Sequence, residues 1–202
     1  MSISIGNFPV IVFGHGFLIS WEAYENFWIS LVSDGYILCF PTTEMRFAPD
    51  HQIFADDLRF ISSQIQIESQ NSSSIFYNSV LPKTGIMGHS MGGGASFLAT
   101  ENNPHIITLI NFAAAETSPS AISAASNITI PSLIFSGEDD CVSPPISNQN
   151  IMFDSLNSLC KTQINIINGG HCYFANENTL CSFGESSCNL NLNITRNEQQ
   201  SV

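Results

Sequence analysis

Basic side chains are nearly absent from this chain: five Lys and Arg stand against 17 Asp and Glu in 202 residues, a formal net charge of −12. A surface of that sign repels polyphosphate and anionic headgroups, so no nucleic acid and no membrane is expected as a partner. Apolar runs long enough to span a bilayer are missing as well. The six cysteines include no Cys-x-x-Cys pair, so metal spacing is lacking and no structural zinc is expected. Internal repeats are absent, and the longest polar stretch, Glu68 to Ser74, has the length of a surface loop. A single domain over residues 1–202 is therefore expected, with 44% hydrophobic residues to fill its core. Met1-Ser2-Ile3-Ser4-Ile5 has no signal-peptide character, which fits a mature or trimmed chain.

What is present is a regular alternation of short apolar runs and helical patterns. Strands are expected at about 10–14, 36–41, 84–89, 106–112, 132–137 and 162–167. Between them helices are expected at about 21–33, 53–67, 90–102 and 146–158, the second opened by Ala48-Pro49-Asp50 and the fourth by Pro144-Pro145. The pattern predicts an α/β fold, a mostly parallel open sheet of about six strands with helices on both faces, and ligands at the carboxyl ends of the strands. Trp21, Tyr24, Phe27 and Trp28 recur at helical spacing and read as core.

One segment carries chemistry. Thr84-Gly85-Ile86-Met87 runs into Gly88-His89-Ser90-Met91-Gly92, a Gly-x-Ser-x-Gly turn between a strand and a helix. Such a turn holds a serine hydroxyl out in a cleft, which makes Ser90 the candidate nucleophile. A hydroxyl needs a base, and His171 follows the apolar run Ile164–Ile167 in Asn168-Gly169-Gly170-His171, just past a strand end. His15 and His89 lie within glycine turns, His51 opens a helix and His105 sits at the foot of a strand, so none of them fits that role as well. An acid should come between nucleophile and base, and the strand ending at Gly137 delivers Glu138, Asp139 and Asp140. Pattern alone leaves the choice among them open. Backbone donors for an oxyanion are expected from Met91, after the nucleophile, and from Phe17, in the turn Gly14-His15-Gly16-Phe17 after the first strand. All of these candidates follow strand ends on one edge of the predicted sheet.

With Gly88-His89-Ser90-Met91-Gly92-Gly93-Gly94, Pro131-Ser132-Leu133-Ile134-Phe135 leading to Glu138-Asp139-Asp140, and Gly169-Gly170-His171 in place, most of the chain resembles the α/β-hydrolase superfamily. The resemblance is to dienelactone-hydrolase-like esterases and to the cutinase and polyester hydrolase branch. It implies that the acid is the last acidic position before a Val-x-Pro segment, Asp140, with Asp139 as the alternative. It also implies substrate contacts from Phe17, Glu116, Thr117 and Val142, and no cofactor. Where polyester hydrolases carry a tryptophan after the strand that follows the nucleophile helix, this chain reads Ala113-Ala114-Ala115-Glu116-Thr117-Ser118, so the aromatic clamp is incomplete. Against the full superfamily pattern, the chain lacks the antiparallel N-terminal strands and stops at Arg196-Asn197-Glu198-Gln199, short of a final helix. A minimal or truncated version is the expectation.

Cys141 and Cys172 each follow a proposed triad member at the same sheet edge, so a Cys141–Cys172 bridge is expected, with a second between Cys181 and Cys188. Cys160 lies beyond a helix that runs roughly 20 Å back to the opposite edge, and Cys39 lies inside a strand. Two bridges imply an oxidising compartment, hence a secreted or periplasmic protein. The expected activity is carboxylic ester hydrolysis through an acyl-enzyme, on a small-molecule or polymeric ester, by a monomer. Acyl transfer, lactone opening and an inactive binding module on the same fold are the alternatives.

Overall fold

The computed structural model describes residues 6–186, 188 and 193–202; Met1–Ile5 lies outside them. Six strands form one sheet in the order β2-β1-β3-β4-β5-β6, and every neighbouring pair is parallel. The strands are β1 (Phe8–Gly14), β2 (Ile37–Cys39), β3 (Val80–His89), β4 (Ile106–Phe112), β5 (Ser132–Gly137) and β6 (Lys161–Ile166). They coincide with the six apolar runs, because a parallel strand is buried on both faces and leaves a continuous apolar signature. This is the architecture of the α/β-hydrolase fold.

Alternate side chains feed two cores. Val12, Ile86, Leu109 and Ile134 point to one face, where α2 (His51–Glu68), α3 (Met91–Thr100), α4 (Ala121–Ala125) and α5 (Gln149–Ser155) cover them. Ile11, Phe13, Met87 and Phe112 point to the other, against α1 (Glu25–Ser33), the 3-10 turns at Trp21–Tyr24 and Cys172–Phe174, and α6 (Thr179–Ser186). Of the four spaced aromatics, Tyr24 is fully buried and Phe27 packs against this second core, whereas Trp21 is 42% exposed.

Several boundaries differ from the sequence reading for local reasons. The helix expected from 53 begins at His51, because the Asp50 carboxylate accepts from the amides of Gln52 and Ile53. The helix expected over 146–158 is a 3-10 turn, Pro145–Ser147, followed by α5, and Leu156 leaves it with extended backbone. The Arg196–Gln200 segment, read as stopping before a final helix, is itself helical (α7), with Thr195 and Glu198 forming a reciprocal capping box.

The disulfide pairing is corrected. The same four cysteines are bonded, but as Cys141–Cys188 and Cys172–Cys181, with Cα separations of 6.1 and 5.7 Å. Asp140 and His171 turn their side chains toward each other, so the next residues, Cys141 and Cys172, diverge. Cys172 is buried in the second core beside Cys181 of α6, and Cys141 is only partly buried. Both bridges tie the region of α6 to the loops that carry Asp140 and His171. Cys39 and Cys160 are free thiols. Among the described residues no helix is long and apolar enough to cross a membrane.

Candidate active site

The carboxyl ends of β1, β3, β5 and β6 open onto one cleft, and the turn after β3 sets its centre. Ser90 has φ +55° and ψ −121°, a region that costs a side-chain-bearing residue energy and persists only when its surroundings impose it. They do so here: the Ser90 amide donates to Phe112 O at 3.0 Å, and its carbonyl accepts from Ala115 N at 3.0 Å and Gly94 N at 3.1 Å. The flanking glycines are required by close backbone approach. A Cβ on Gly88 would stand 2.3 Å from Gly92 O, and one on Gly92 would stand 2.2 Å from the Gly14 carbonyl. Helix α3 thus starts hard against the exit of β1, which brings the Gly14–Phe17 turn beside Ser90.

Ser90 Oγ lies 2.9 Å from His171 Nε2, and His171 Nδ1 lies 2.7 Å from Asp140 Oδ2. All three residues are buried, at 7, 2 and 3% exposure, so the line of hydrogen bonds is largely shielded from water. Asp140 Oδ1 accepts from the amides of Val142 and Ser143 at 2.9 and 2.8 Å, leaving Oδ2 to face the imidazole. Asp139 is elsewhere: its amide donates to Gly169 O, and Glu138 receives the Asn168 amide at the surface. Among the described hydrogen bonds neither the Met91 nor the Phe17 amide has an acceptor, and Met91 is the first residue of α3, where an amide lacks a partner within its helix.

The cleft above Ser90 and His171 is lined by Phe17, Ile19, Val142, Leu180 and Gly184. Phe17 and Val142 therefore line the cleft. Glu116 and Thr117 do not: the Glu116 carboxylate accepts the Ile122 amide of α4, while Thr117 donates to Pro119 O and packs its methyl toward Gly94. Both lie beside helices of one face of the sheet: the Thr117 methyl and Ala115 O crowd Gly94 of α3, and Glu116 holds the start of α4. A larger apolar hollow, about 320 Å³, lies under Met87, Ile110, Phe112 and Phe135, and its lining includes none of Ser90, Asp140 and His171.

Two features escaped the sequence reading. Ser143 puts its hydroxyl 3.0 Å from Asp140 Oδ2 and 3.1 Å from His171 Nδ1, and Gln149 Nε2 donates to it at 3.2 Å. The only sequence signal was its place three residues after Asp140, the spacing of a side chain that caps a turn. His89, read only as a residue of the glycine turn, has its ring centroid 4.9 Å from that of His171, with the two planes tilted at 41°. Burial, and then the charge of neighbouring His171, push its imidazole down to about 3. Burial pushes the free Cys39 thiol up to about 11, which leaves it unreactive near neutral pH. Among the described residues no three His, Cys, Asp or Glu side chains converge as a metal site.

A model of the PET hydrolase-like family matches residues 2–187. The chain belongs to that family. No curated protein matches it. Membership in a PET hydrolase-like family supports ester hydrolysis as the general class of reaction, and its two disulfides fit an extracellular setting.

Proposed function

We propose that this PET hydrolase-like protein is a secreted serine hydrolase that cleaves carboxylic esters through an acyl-enzyme. The observation that carries the reading is the line Ser90 Oγ to His171 Nε2 to Asp140 Oδ2, at 2.9 and 2.7 Å, beneath an open cleft. His171 Nε2 takes the Ser90 proton as Oγ attacks the ester carbonyl, and Asp140 holds the imidazole by Nδ1 and stabilises the imidazolium. The amides of Met91 and Phe17 receive the oxyanion of the tetrahedral intermediate. Collapse breaks the bond to the alkoxy oxygen, which leaves with the proton from His171. Water then attacks the acyl carbonyl with His171 as base, and Ser90 regains its proton as the acid departs.

Phe17, Val142 and Leu180 give the cleft an apolar rim, which favours an uncharged ester over an anionic one. Small-molecule and polymeric esters both meet that description. The test is hydrolysis of p-nitrophenyl acetate, butyrate and octanoate by the chain and by Ser90→Ala. We expect turnover that falls by roughly 10³-fold or more in the variant, since triad members act as a unit. A folded protein without Ser90-dependent turnover would overturn the reading.

A further inference from the structure

Behind the cleft runs a chain of buried polar groups that the ester-cleaving steps do not use. The Gly16 amide donates to Tyr24 Oη at 2.7 Å, Tyr24 Oη lies 3.1 Å from His89 Nδ1, and His89 Nε2 lies 3.1 Å from the His171 carbonyl oxygen. Its direction follows from its ends. A backbone amide only donates, so Tyr24 Oη accepts from Gly16 and keeps its own proton free to donate to His89 Nδ1. A backbone carbonyl only accepts, so His89 carries its proton on Nε2 and gives it to His171 O. One tautomer of His89 satisfies both ends, and it is neutral. Burial agrees: Tyr24 and His89 are both fully buried, which pushes the phenol's pKa up, so that it keeps its proton, and holds the imidazole uncharged.

The two ends of this chain matter to the proposed chemistry. At one end stands the peptide unit before Phe17. The Gly16 carbonyl accepts from Ile19 N at 3.0 Å and lies 2.8 Å from His15 Nδ1. Peptide planarity sends the N–H of Phe17 the opposite way from that carbonyl. With the Gly16 amide held by Tyr24 and the Gly16 carbonyl held by Ile19, both peptide planes around Gly16 are fixed, and the direction of the Phe17 donor with them. At the other end His89 holds the backbone of the residue whose imidazole serves Ser90.

We propose that Tyr24 and His89 form a directional hydrogen-bonded strut that sets the position of the Phe17 oxyanion donor relative to the His171 base, which makes both of them positioning residues. The inference rests on the ester hydrolase reading above. It assigns Tyr24, a residue of the turn before α1 that touches no substrate, an effect on the chemical step rather than on binding.

The experiment compares the full chain with Tyr24→Phe, His89→Leu and His89→Gln, using p-nitrophenyl butyrate kinetics, melting temperature and ¹⁵N-histidine NMR. Tyr24→Phe and His89→Leu should lower kcat by about 10-fold to 10²-fold, the scale of a small misplacement of reacting groups, with KM kept within about twofold. A glutamine amide offers one acceptor and one donor in the order the strut needs, so His89→Gln should recover most of what His89→Leu loses. The NMR should show His89 as the Nε2–H tautomer in the wild type and lose that preference in Tyr24→Phe. Folded Tyr24→Phe with wild-type kcat overturns the strut while leaving the ester hydrolase intact. If Tyr24→Phe does not fold, the two His89 variants decide: equal loss in both overturns the strut, and recovery in His89→Gln supports it. Wild-type protein with no Ser90-dependent turnover overturns the ester hydrolase reading, and the catalytic role of the strut falls with it. An Nδ1–H tautomer in the wild type overturns the strut by itself.

Discussion

The Ser143 hydroxyl lies 3.0 Å from Asp140 Oδ2, the same carboxylate oxygen that stands 2.7 Å from His171 Nδ1. It therefore supports the proposed acid at the atom that faces the proposed base. A hydrogen bond to a charged group contributes about 1.5–3 kcal/mol, and the hydroxyl's one proton is shared between Asp140 Oδ2 and Ala113 O at 2.9 Å, so Ser143→Ala should lower kcat by up to about tenfold with KM little changed. Gln149 would keep its bonds to Ala114 O and Ser143 O, so the loop itself should hold. Steady-state kinetics on one ester decides it, and an unaltered kcat would confine Ser143 to loop structure.

Asp140 and Asp139 are neighbours with opposite surroundings. Asp140 is buried and accepts from two amides, a hydroxyl and the imidazole, whereas Asp139 is partly exposed and contributes its amide to Gly169. Asp140→Ala should cost about 10³-fold to 10⁴-fold in kcat, and Asp139→Ala should stay within about threefold, as surface substitutions usually do. Kinetics of the two purified variants tests the ranking, and the reverse order would reassign the acid.

Gly92→Ala addresses the elbow. Its Cβ would meet the Gly14 carbonyl at 2.2 Å and His15 O at 2.6 Å, both of them backbone atoms that cannot rotate aside. Overpacking of this kind costs about 1–3 kcal/mol or more, and the strain would push the Gly14–Phe17 turn away from Ser90. We expect a lower melting temperature together with a loss of kcat. A variant as stable and as active as the wild type would mean that the helix start is not pressed against β1.

The elements that position the site were legible because each has a local cause. Six apolar runs became six strands, and Gly88, Ser90 and Gly92 announced an elbow whose crowding needs glycine at both sites. What escaped depends on where side chains point in irregular segments. The spacing placed Cys141 beside Asp140 and Cys172 beside His171, yet the convergence of the acid and base side chains turned the two cysteines apart. Glu116 was legible as a residue of the loop after β4, but whether it faced the cleft or capped α4 depended on the turn at Ala113, which takes φ +45°. Tyr24 read as core and His89 as a residue of the glycine turn, and nothing in the sequence joined them, because their coupling links residues 65 apart in the chain.

The two disulfides tie α6 and the segment after it to the loops that follow Asp140 and His171. Cys172–Cys181 closes a separation of 9 residues and Cys141–Cys188 one of 47. By loop-closure entropy each should stabilise the fold by about 2–4 kcal/mol, with the longer contributing more. We expect Cys141→Ser/Cys188→Ser to lower the urea midpoint more than Cys172→Ser/Cys181→Ser. Because Leu180 and Gly184 of α6 line the cleft, both variants should also change KM for long acyl chains. Unfolding curves and chain-length profiles of the two double variants test both parts.

His89 also makes stability depend on pH, with a sign fixed by its burial. Its folded-state value near 3 lies well below the ordinary histidine value of 6.5, first through desolvation and then through the neighbouring His171. The folded protein therefore binds fewer protons at this site than the unfolded chain at any pH between those two values. Stability from His89 is fully present above about pH 6.5 and is lost as pH falls toward 3, at up to about 1.4 kcal/mol per pH unit. The groups that face it are Tyr24, uncharged across this range, and His171 with Asp140 behind it. His89→Gln removes the imidazole and leaves that couple in place. The difference in unfolding free energy between wild type and His89→Gln should accordingly shift in favour of the variant as pH drops from 6.5 to 4, measured by urea unfolding at fixed ionic strength. A difference that stays constant over that interval would mean that His89 takes up a proton as readily in the folded protein as in the unfolded chain.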